Sequence, residues 1–131
     1  MVTEEDVRTA NLILFGDPGS NRWIRKLLPQ LPLQWTREQV RLGAHCHPAS
    51  DHAVQLIHPN PLPQASGRYV VINSGHTYHD AELRLSYMVF PRVGDWAVLR
   101  VGDSMATGLV PRVDETVLDS GFFDERWRLT Y

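Results

Sequence analysis

Proline and glycine divide this chain into short apolar segments, and that division most limits what the chain can fold into. Four of these segments have the length and composition of buried strands. They are Asn11–Phe15, Ala53–Ile57, Arg68–Ile72 and Trp96–Val101. The link between the second and third segments contains Pro59, Pro61 and Pro63, so it cannot form a helix or a central strand. We therefore expect these two segments to form an antiparallel hairpin.

Helical periodicity occurs in two places between these strands. One apolar helix face follows the turn at Gly16–Asn21, where Ser20 or Asn21 can cap the helix; its residues are Trp23, Ile24, Leu27, Leu28 and Leu31. A second helix is expected from Asp80 to about Val89. Because it joins Arg68–Ile72 to Trp96–Val101, we expect a right-handed parallel crossover there.

The intervening segments complete the expected fold. Leu33–Thr36 and Gln39–Ala44 predict a hairpin, and His45–Asp51 predicts a polar loop. Together the elements predict a small three-layer α/β domain with a mixed, mostly parallel sheet, flavodoxin-like or Rossmann-like, containing one antiparallel hairpin. One domain is expected over residues 1–131, with a polar lead-in at 1–10 and a tail, 102–131, that packs back on the body through Phe122, Phe123 and Trp127.

Charge and composition exclude several functional classes. The formal net charge is -2, which argues against a nucleic-acid partner, since phosphate binding needs clustered positive charge. No apolar run approaches the length of a membrane span, so no membrane partner is expected. The single cysteine, Cys46, allows no intramolecular disulfide. The polar N-terminus predicts no signal peptide: a complete chain is expected in the cytoplasm, and a fragment of a larger protein could be exported.

A ligand site is expected at the carboxyl ends of the parallel strands, where open α/β sheets bind ligands. Polar side chains collect in the two loops there; they are Asp17, Ser20, Asn21, Asn73, Ser74 and His76. The antiparallel strand adds Asp51 and His52 to the same edge. A polar or anionic ligand is predicted at this edge, although an ordinary strand-to-helix turn uses the same residue types.

Catalytic and metal sites are the alternatives. Gly102-Asp103-Ser104 resembles the first block of the GDSL hydrolases, in which the serine is the nucleophile, but no histidine follows Ser104. A serine esterase would have to take its nucleophile, base and acid from a different set of residues: Ser104, Ser74, His76, His52 and Asp51. A metal site could use His45, His47 and His52. No recognised zinc spacing is present, so we expect no cofactor.

The order of several segments provides a family resemblance. NLILFGDPGSN, AVQLIHPNPLPQASGRYVVINSGHTY, DWAVLRV and GFFDERW together resemble the C-terminal region of large bacterial α/β-hydrolase or prolyl-oligopeptidase-type serine peptidases and esterases. The resemblance implies that the catalytic residues lie upstream of this region, so none is transferred here. It predicts a non-catalytic accessory or interaction domain whose partner is a hydrolase domain or another protein chain, with a homodimer as the alternative.

Overall fold

A computed structural model of the protein describes residues 2–74, 93–100 and 117–130. Strands hold 41% of the described residues and helices 19%. The helices and strands are α1 (Glu4–Thr9), β1 (Leu12–Phe15), α2 (Arg22–Leu27), β2 (Gln34–Trp35), β3 (Gln39–Leu42), β4 (His45–Pro48), β5 (His52–Pro59), β6 (Tyr69–Asn73), β7 (Trp96–Arg100) and β8 (Val117–Gly121). Two single 3-10 turns, at Leu28–Gln30 and Pro63–Ala65, complete the set.

Two sheets organise the described residues. The larger has five strands in the order β1-β6-β5-β7-β8, and the smaller is the antiparallel sheet β2-β3-β4. Only β1 and β6 pair in parallel; the other neighbours in the larger sheet are antiparallel. The predicted three-layer α/β fold, flavodoxin-like or Rossmann-like, is therefore wrong, because the described protein is predominantly β.

The position of β7 explains part of this error. The predicted hairpin of β5 and β6 is confirmed, with Leu56 opposite Ile72. β7 then adds to the other side of β5, antiparallel to it, with Val98 opposite Val54. β7 thus runs in the same direction as β6 but does not neighbour it. The apolar composition of a strand indicates burial but carries little information about which strand lies beside it.

A second error concerns β4, which we expected to be part of a polar loop over His45–Asp51. Residues His45–Pro48 instead pair with β3, so that Leu42 lies opposite His45 and Val40 opposite His47. Most side chains of β4 are exposed or half-buried. Such a strand lacks the alternating apolar residues by which strands are recognised, and it forms because its backbone completes a sheet.

The core lies on one face of the larger sheet, here called the core face. Val54, Leu56 and Ile72 of this face are buried. α2 and the smaller sheet contribute buried residues to the same core; they are Trp23, Ile24, Leu27, Trp35, Val40 and Leu42. The opposite, outer face is open at the edge strand β1, where Ile13 is 63% and Phe15 52% exposed.

The predicted helix after the first strand is confirmed as α2. The Asn21 side chain caps it by accepting hydrogen bonds from the backbone N–H groups of Trp23 and Ile24. The helix ends at Leu27, and a 3-10 turn containing Pro29 follows. The predicted hairpin of β2 and β3 is also confirmed.

The C-terminal residues lie against the ends of β5 and β6. Phe123 is buried, and Trp127 contacts the rings of His58 and Tyr69. Phe122, which we expected to pack as well, is exposed. The predicted helix from Asp80 to about Val89 and the tail segment 102–116 lie outside the described residues. Within the described ranges, no helix has the length and apolarity needed to cross a membrane.

Candidate functional site

An open cleft of about 810 Å³ lies where β1 and β6 end and β5 begins; we call it the edge cleft. The first loop, the smaller sheet and the start of β5 all contribute to its wall. The cleft is lined by Gly16, Asp17, Pro18, Gly19, Arg25, Leu28, Trp35, Thr36, Arg37, Ala49, Ser50, Asp51, His52, Ala53 and Ser74. Its exposed residues, including Arg25 and Arg37, form the rim, and its buried residues, including His52 and Ser74, form the floor.

The loop after β1 is closed by its own side chains. Asp17 Oδ1 accepts hydrogen bonds from the backbone N–H of Gly19, at 2.6 Å, and of Ser20, at 2.9 Å. Ser20 Oγ accepts one from the N–H of Asp17, and Asn21 Nδ2 donates to the carbonyl of Phe15. Gly16 has a φ of 93°, which glycine adopts without strain. Ser20 and Asn21 therefore build the loop, and Asp17 is the one of the three that lines the cleft.

Asp51 and His52 form an acid–imidazole pair at the start of β5. His52 Nδ1 lies 2.8 Å from Asp51 Oδ1 and 2.8 Å from the carbonyl oxygen of Pro48. Both neighbours are hydrogen-bond acceptors, so Nδ1 carries the proton and donates to them. The imidazole is only 3% exposed, and its Nε2 is buried with no hydrogen-bond partner among the described residues.

The environment of Asp51 favours its charged form. Burial acts to raise the pKa of this carboxyl group, but the hydrogen bond and charge of His52 oppose burial, as do the hydrogen bond of Ser50 and the charge of Arg100. Their combined effect lowers the pKa of Asp51 below its ordinary value. The carboxylate is therefore ionised at neutral pH, and its Oδ1 accepts hydrogen bonds from His52 and Ser50.

A pH prediction follows from this lowered pKa. Because the folded carboxyl has a lower pKa than the unfolded one, at about 3.9, its contribution to stability is present above that pH and is lost as the pH falls through the folded value. We expect the stability difference between the protein and its Asp51→Asn variant, measured by urea unfolding, to shrink as the pH falls below about 4. A carbon-13 NMR titration should give a pKa for Asp51 below about 3.9, and a higher pKa for Asp51 in the Ser50→Ala variant. A pKa at or above the unfolded value would contradict the prediction.

Two guanidinium groups at the rim of the edge cleft were not predicted to belong to the site. Arg25 lies on α2, and Arg37 lies in the turn between β2 and β3. Neither guanidinium forms a hydrogen bond or ion pair with any described residue. Trp35 and Thr36 also line the cleft. The helical spacing of the sequence puts Arg25 on the polar face of α2, which indicates exposure but not a shared cleft, and it gives no such signal for Arg37.

The structure brings together four of the residues predicted from sequence: Asp17, Asp51, His52 and Ser74 all line the edge cleft. Because side chains alternate between the two faces along a strand, Asn73 lies on the outer face. There its Oδ1 accepts a hydrogen bond from Gln55 Nε2 at 3.2 Å. His76 and Ser104 lie outside the described residues. The serine-esterase alternative that used Ser104 therefore stays a prediction.

The histidines suggested as metal ligands do meet, although their contacts are with a carboxylate. His45 Nδ1 lies 3.0 Å from Asp119 Oδ1, and His47 Nε2 lies 2.5 Å from Asp119 Oδ2. The ring of His47 stacks on that of His52 with centroids 4.9 Å apart. Among the described residues, no group of three or more histidine, cysteine, aspartate or glutamate side chains could hold a metal ion. Asp119 thus joins β4 to β8 and ties the two sheets together.

A comparison of the chain with protein families, with curated proteins and with solved structures finds no match. The resemblance to the C-terminal region of serine peptidases and esterases stays a prediction. The expected partner chain or homodimer also stays a prediction.

Proposed function

We propose that this protein is a non-catalytic binding domain that holds a small anionic molecule in the edge cleft. The observation that carries the proposal is the pair of guanidinium groups, on Arg25 and Arg37, that line the cleft without a partner among the described residues. Guanidinium groups bind carboxylates and phosphates through paired, charge-assisted hydrogen bonds.

The carboxylates in the same cleft do not compete for these arginines. Asp17 Oδ1 accepts the N–H groups of its own turn, Asp51 Oδ1 accepts His52 and Ser50, and neither carboxylate pairs with either arginine. The guanidinium N–H donors of Arg25 and Arg37 are therefore left without a partner among the described residues. This local arrangement favours an anion even though the whole chain carries a net charge of -2.

The dimensions of the cleft indicate the size of the ligand. Its volume of about 810 Å³ lies within the range of small-molecule sites, roughly 300–1,000 Å³. Leu28 and Trp35 add apolar surface to the wall. A small organic anion suits such a mixed lining better than a bare inorganic ion, which would leave the apolar surface uncovered.

Serine hydrolysis is the second candidate, and one observation favours it. Asp51, bonded to His52 Nδ1, orients the imidazole as the acid does in a catalytic triad, and Ser74 lines the same cleft. Against it, no described serine donates a hydrogen bond to His52 Nε2. The pair therefore lacks the nucleophile–base contact by which an activated serine is recognised.

The test of the binding function is calorimetric titration with succinate and with inorganic phosphate at low salt. We expect binding of at least one anion, weakened about tenfold or more by Arg25→Gln and by Arg37→Gln, since each variant removes a charged hydrogen-bond donor. Arg68→Gln, an exposed arginine outside the cleft, is the matched control and should leave the affinity unchanged.

Two results would overturn this function. The first is that neither succinate nor phosphate binds the folded protein. The second is that the double variant Arg25→Gln/Arg37→Gln binds the anion with unchanged affinity. Incubation with a fluorophosphonate probe, followed by measurement of the intact mass, tests the second candidate, serine hydrolysis. We expect no adduct, whereas one stoichiometric adduct that disappears in Ser74→Ala would establish an activated serine and replace the binding function with hydrolysis.

A further inference from the structure

The floor of the edge cleft contains a polar atom for which the described protein supplies no partner. His52 Nε2 is buried and makes no hydrogen bond, on a side chain that is 3% exposed. A buried polar group without a partner is costly, and native proteins keep few of them. Because His52 lines the cleft, a bound molecule that reaches the floor can supply the missing hydrogen bond.

The other ring nitrogen determines what kind of group this partner is. His52 Nδ1 faces two acceptors, Pro48 O and Asp51 Oδ1, and so it holds the ring proton. In the neutral ring Nε2 then has a lone pair and accepts a hydrogen bond. Its partner is consequently a donor, such as a hydroxyl group, and not a carboxylate or phosphate oxygen.

A second polar group with free capacity lies beside His52 on the floor. The backbone N–H of Ser74 donates to the carbonyl of Val54, at 3.0 Å, which continues the β5–β6 pairing by one residue. Val54 and His52 are two residues apart on β5, so His52 and Ser74 share the core face as diagonal neighbours, a separation of roughly 7–8 Å or less. Ser74 is buried, and its Oγ makes no hydrogen bond with a described residue.

At a diagonal separation of this order, one ligand atom can lie between the two side chains. An oxygen between them could donate its hydrogen to Nε2 and accept one from Ser74 Oγ, each over about 2.8 Å. The hydroxyl group is the common functional group that donates one hydrogen bond and accepts another at a single oxygen.

We propose that the molecule bound in the edge cleft carries a hydroxyl group beside its anionic group, and that this hydroxyl lies between His52 and Ser74 while Arg25 and Arg37 hold the anion. The inference rests on the proposed anion-binding function and specifies its ligand class. Hydroxy acids and phosphorylated polyols share the required chemistry, an anionic group next to an alcohol.

The experiment compares two matched pairs of probes by calorimetric titration at neutral pH. Malate differs from succinate by one hydroxyl group, and glycerol phosphate differs from propyl phosphate by two. We expect the hydroxylated member of at least one pair to bind about tenfold or more tightly, since it satisfies buried groups that its analogue leaves unpaired. The pair with the higher affinity identifies the anionic group as a carboxylate or a phosphate.

Variants on the floor test the two named side chains. Ser74→Ala and His52→Phe should each reduce the preference for the hydroxylated probe by about fivefold or more. Ser66→Ala, an exposed serine outside the cleft, is the control and should keep the preference. If His52→Phe does not fold, nitrogen-15 NMR of the histidine rings replaces it: the free protein should show His52 protonated at Nδ1, and the hydroxylated probe should shift its Nε2 resonance.

The outcomes separate this inference from the function on which it rests. If succinate or propyl phosphate binds in an arginine-dependent manner but neither hydroxylated probe binds more tightly, the hydroxyl inference is overturned and the anion site stands. If none of the probes binds the folded protein, both are overturned. Finding His52 protonated at Nε2 in the free protein would also contradict the inference, because that nitrogen could then not accept the hydroxyl hydrogen.

Discussion

Replacing Ile72 with alanine is expected to lower the free energy of unfolding by about 2–5 kcal/mol. Ile72 of β6 is fully buried, with Leu14 of β1 on one side and Leu56 of β5 on the other. Removing its side chain takes away the transfer free energy of the lost methyl and methylene groups. It also leaves a cavity that the paired strands cannot close without breaking their hydrogen bonds.

Urea unfolding of the variant measures this effect, and Ile13→Ala is its matched control. Ile13 belongs to the same sheet, opposite Val71, but it lies on the outer face and is 63% exposed. Ile13→Ala should lower the free energy of unfolding by less than about 1 kcal/mol, because truncating an exposed side chain removes little buried apolar surface. Equal losses for the two variants would contradict the observed fold and would instead fit a sheet buried on both faces at β1.

Replacing Gly94 with alanine is the second large effect, and it is expected to lower the free energy of unfolding by about 3 kcal/mol, the upper end of the usual range for overpacking. A Cβ atom at this position would lie 2.2 Å from the carbonyl oxygen of Gly121 and 2.7 Å from its carbonyl carbon. These are backbone atoms, which cannot rotate away as a flexible side chain can. The chain would have to separate where Trp96 of β7 pairs with Gly121 of β8.

Gly67→Ala distinguishes this clash from the ordinary effect of replacing a glycine. Gly67 has open space around its Cβ position but a φ of +75°, so its replacement should cost only the backbone strain, about 1–2 kcal/mol. Urea unfolding gives both values, and amide NMR spectra of Gly94→Ala should show the largest shifts in β7 and β8. A smaller loss in Gly94→Ala than in Gly67→Ala would show that the two strands do not approach so closely.

The parts of the fold that could be predicted from sequence are those with local causes. Asn21 caps α2 through a side chain two and three residues from its partners, and the prolines between β5 and β6 exclude a helix there. Asn21 was one of two candidate caps, with Ser20. The prolines do exclude an α-helix, although β5, the central strand, continues through Pro59, which was expected to lie outside any central strand. The pairing of β7 with β5 and of β4 with β3 was not predicted, because each depends on backbone contacts that leave no distinct apolar pattern.

The candidate site divides in a similar way. Asp17 and Ser74 were expected at one edge because both follow strands that run in the same direction, and His52 because its strand is antiparallel to them. Arg25 and Arg37 were missed, since α2 and the β2–β3 turn come together only when the smaller sheet packs on the core face. The spacing of residues along the chain does not predict this proximity.

The sequence by itself determined where most of the strands and turns of this protein occur, β4 excepted, because proline, glycine and capping side chains act on their immediate neighbours. The tertiary structure alone decided which strands pair, which face of β1 stays open and which polar groups lack a partner. It decided these because each depends on groups that are distant in the chain. His52 illustrates the difference: its type and position were visible in the sequence, but only the folded chain buries the ring, bonds Nδ1 and leaves Nε2 free.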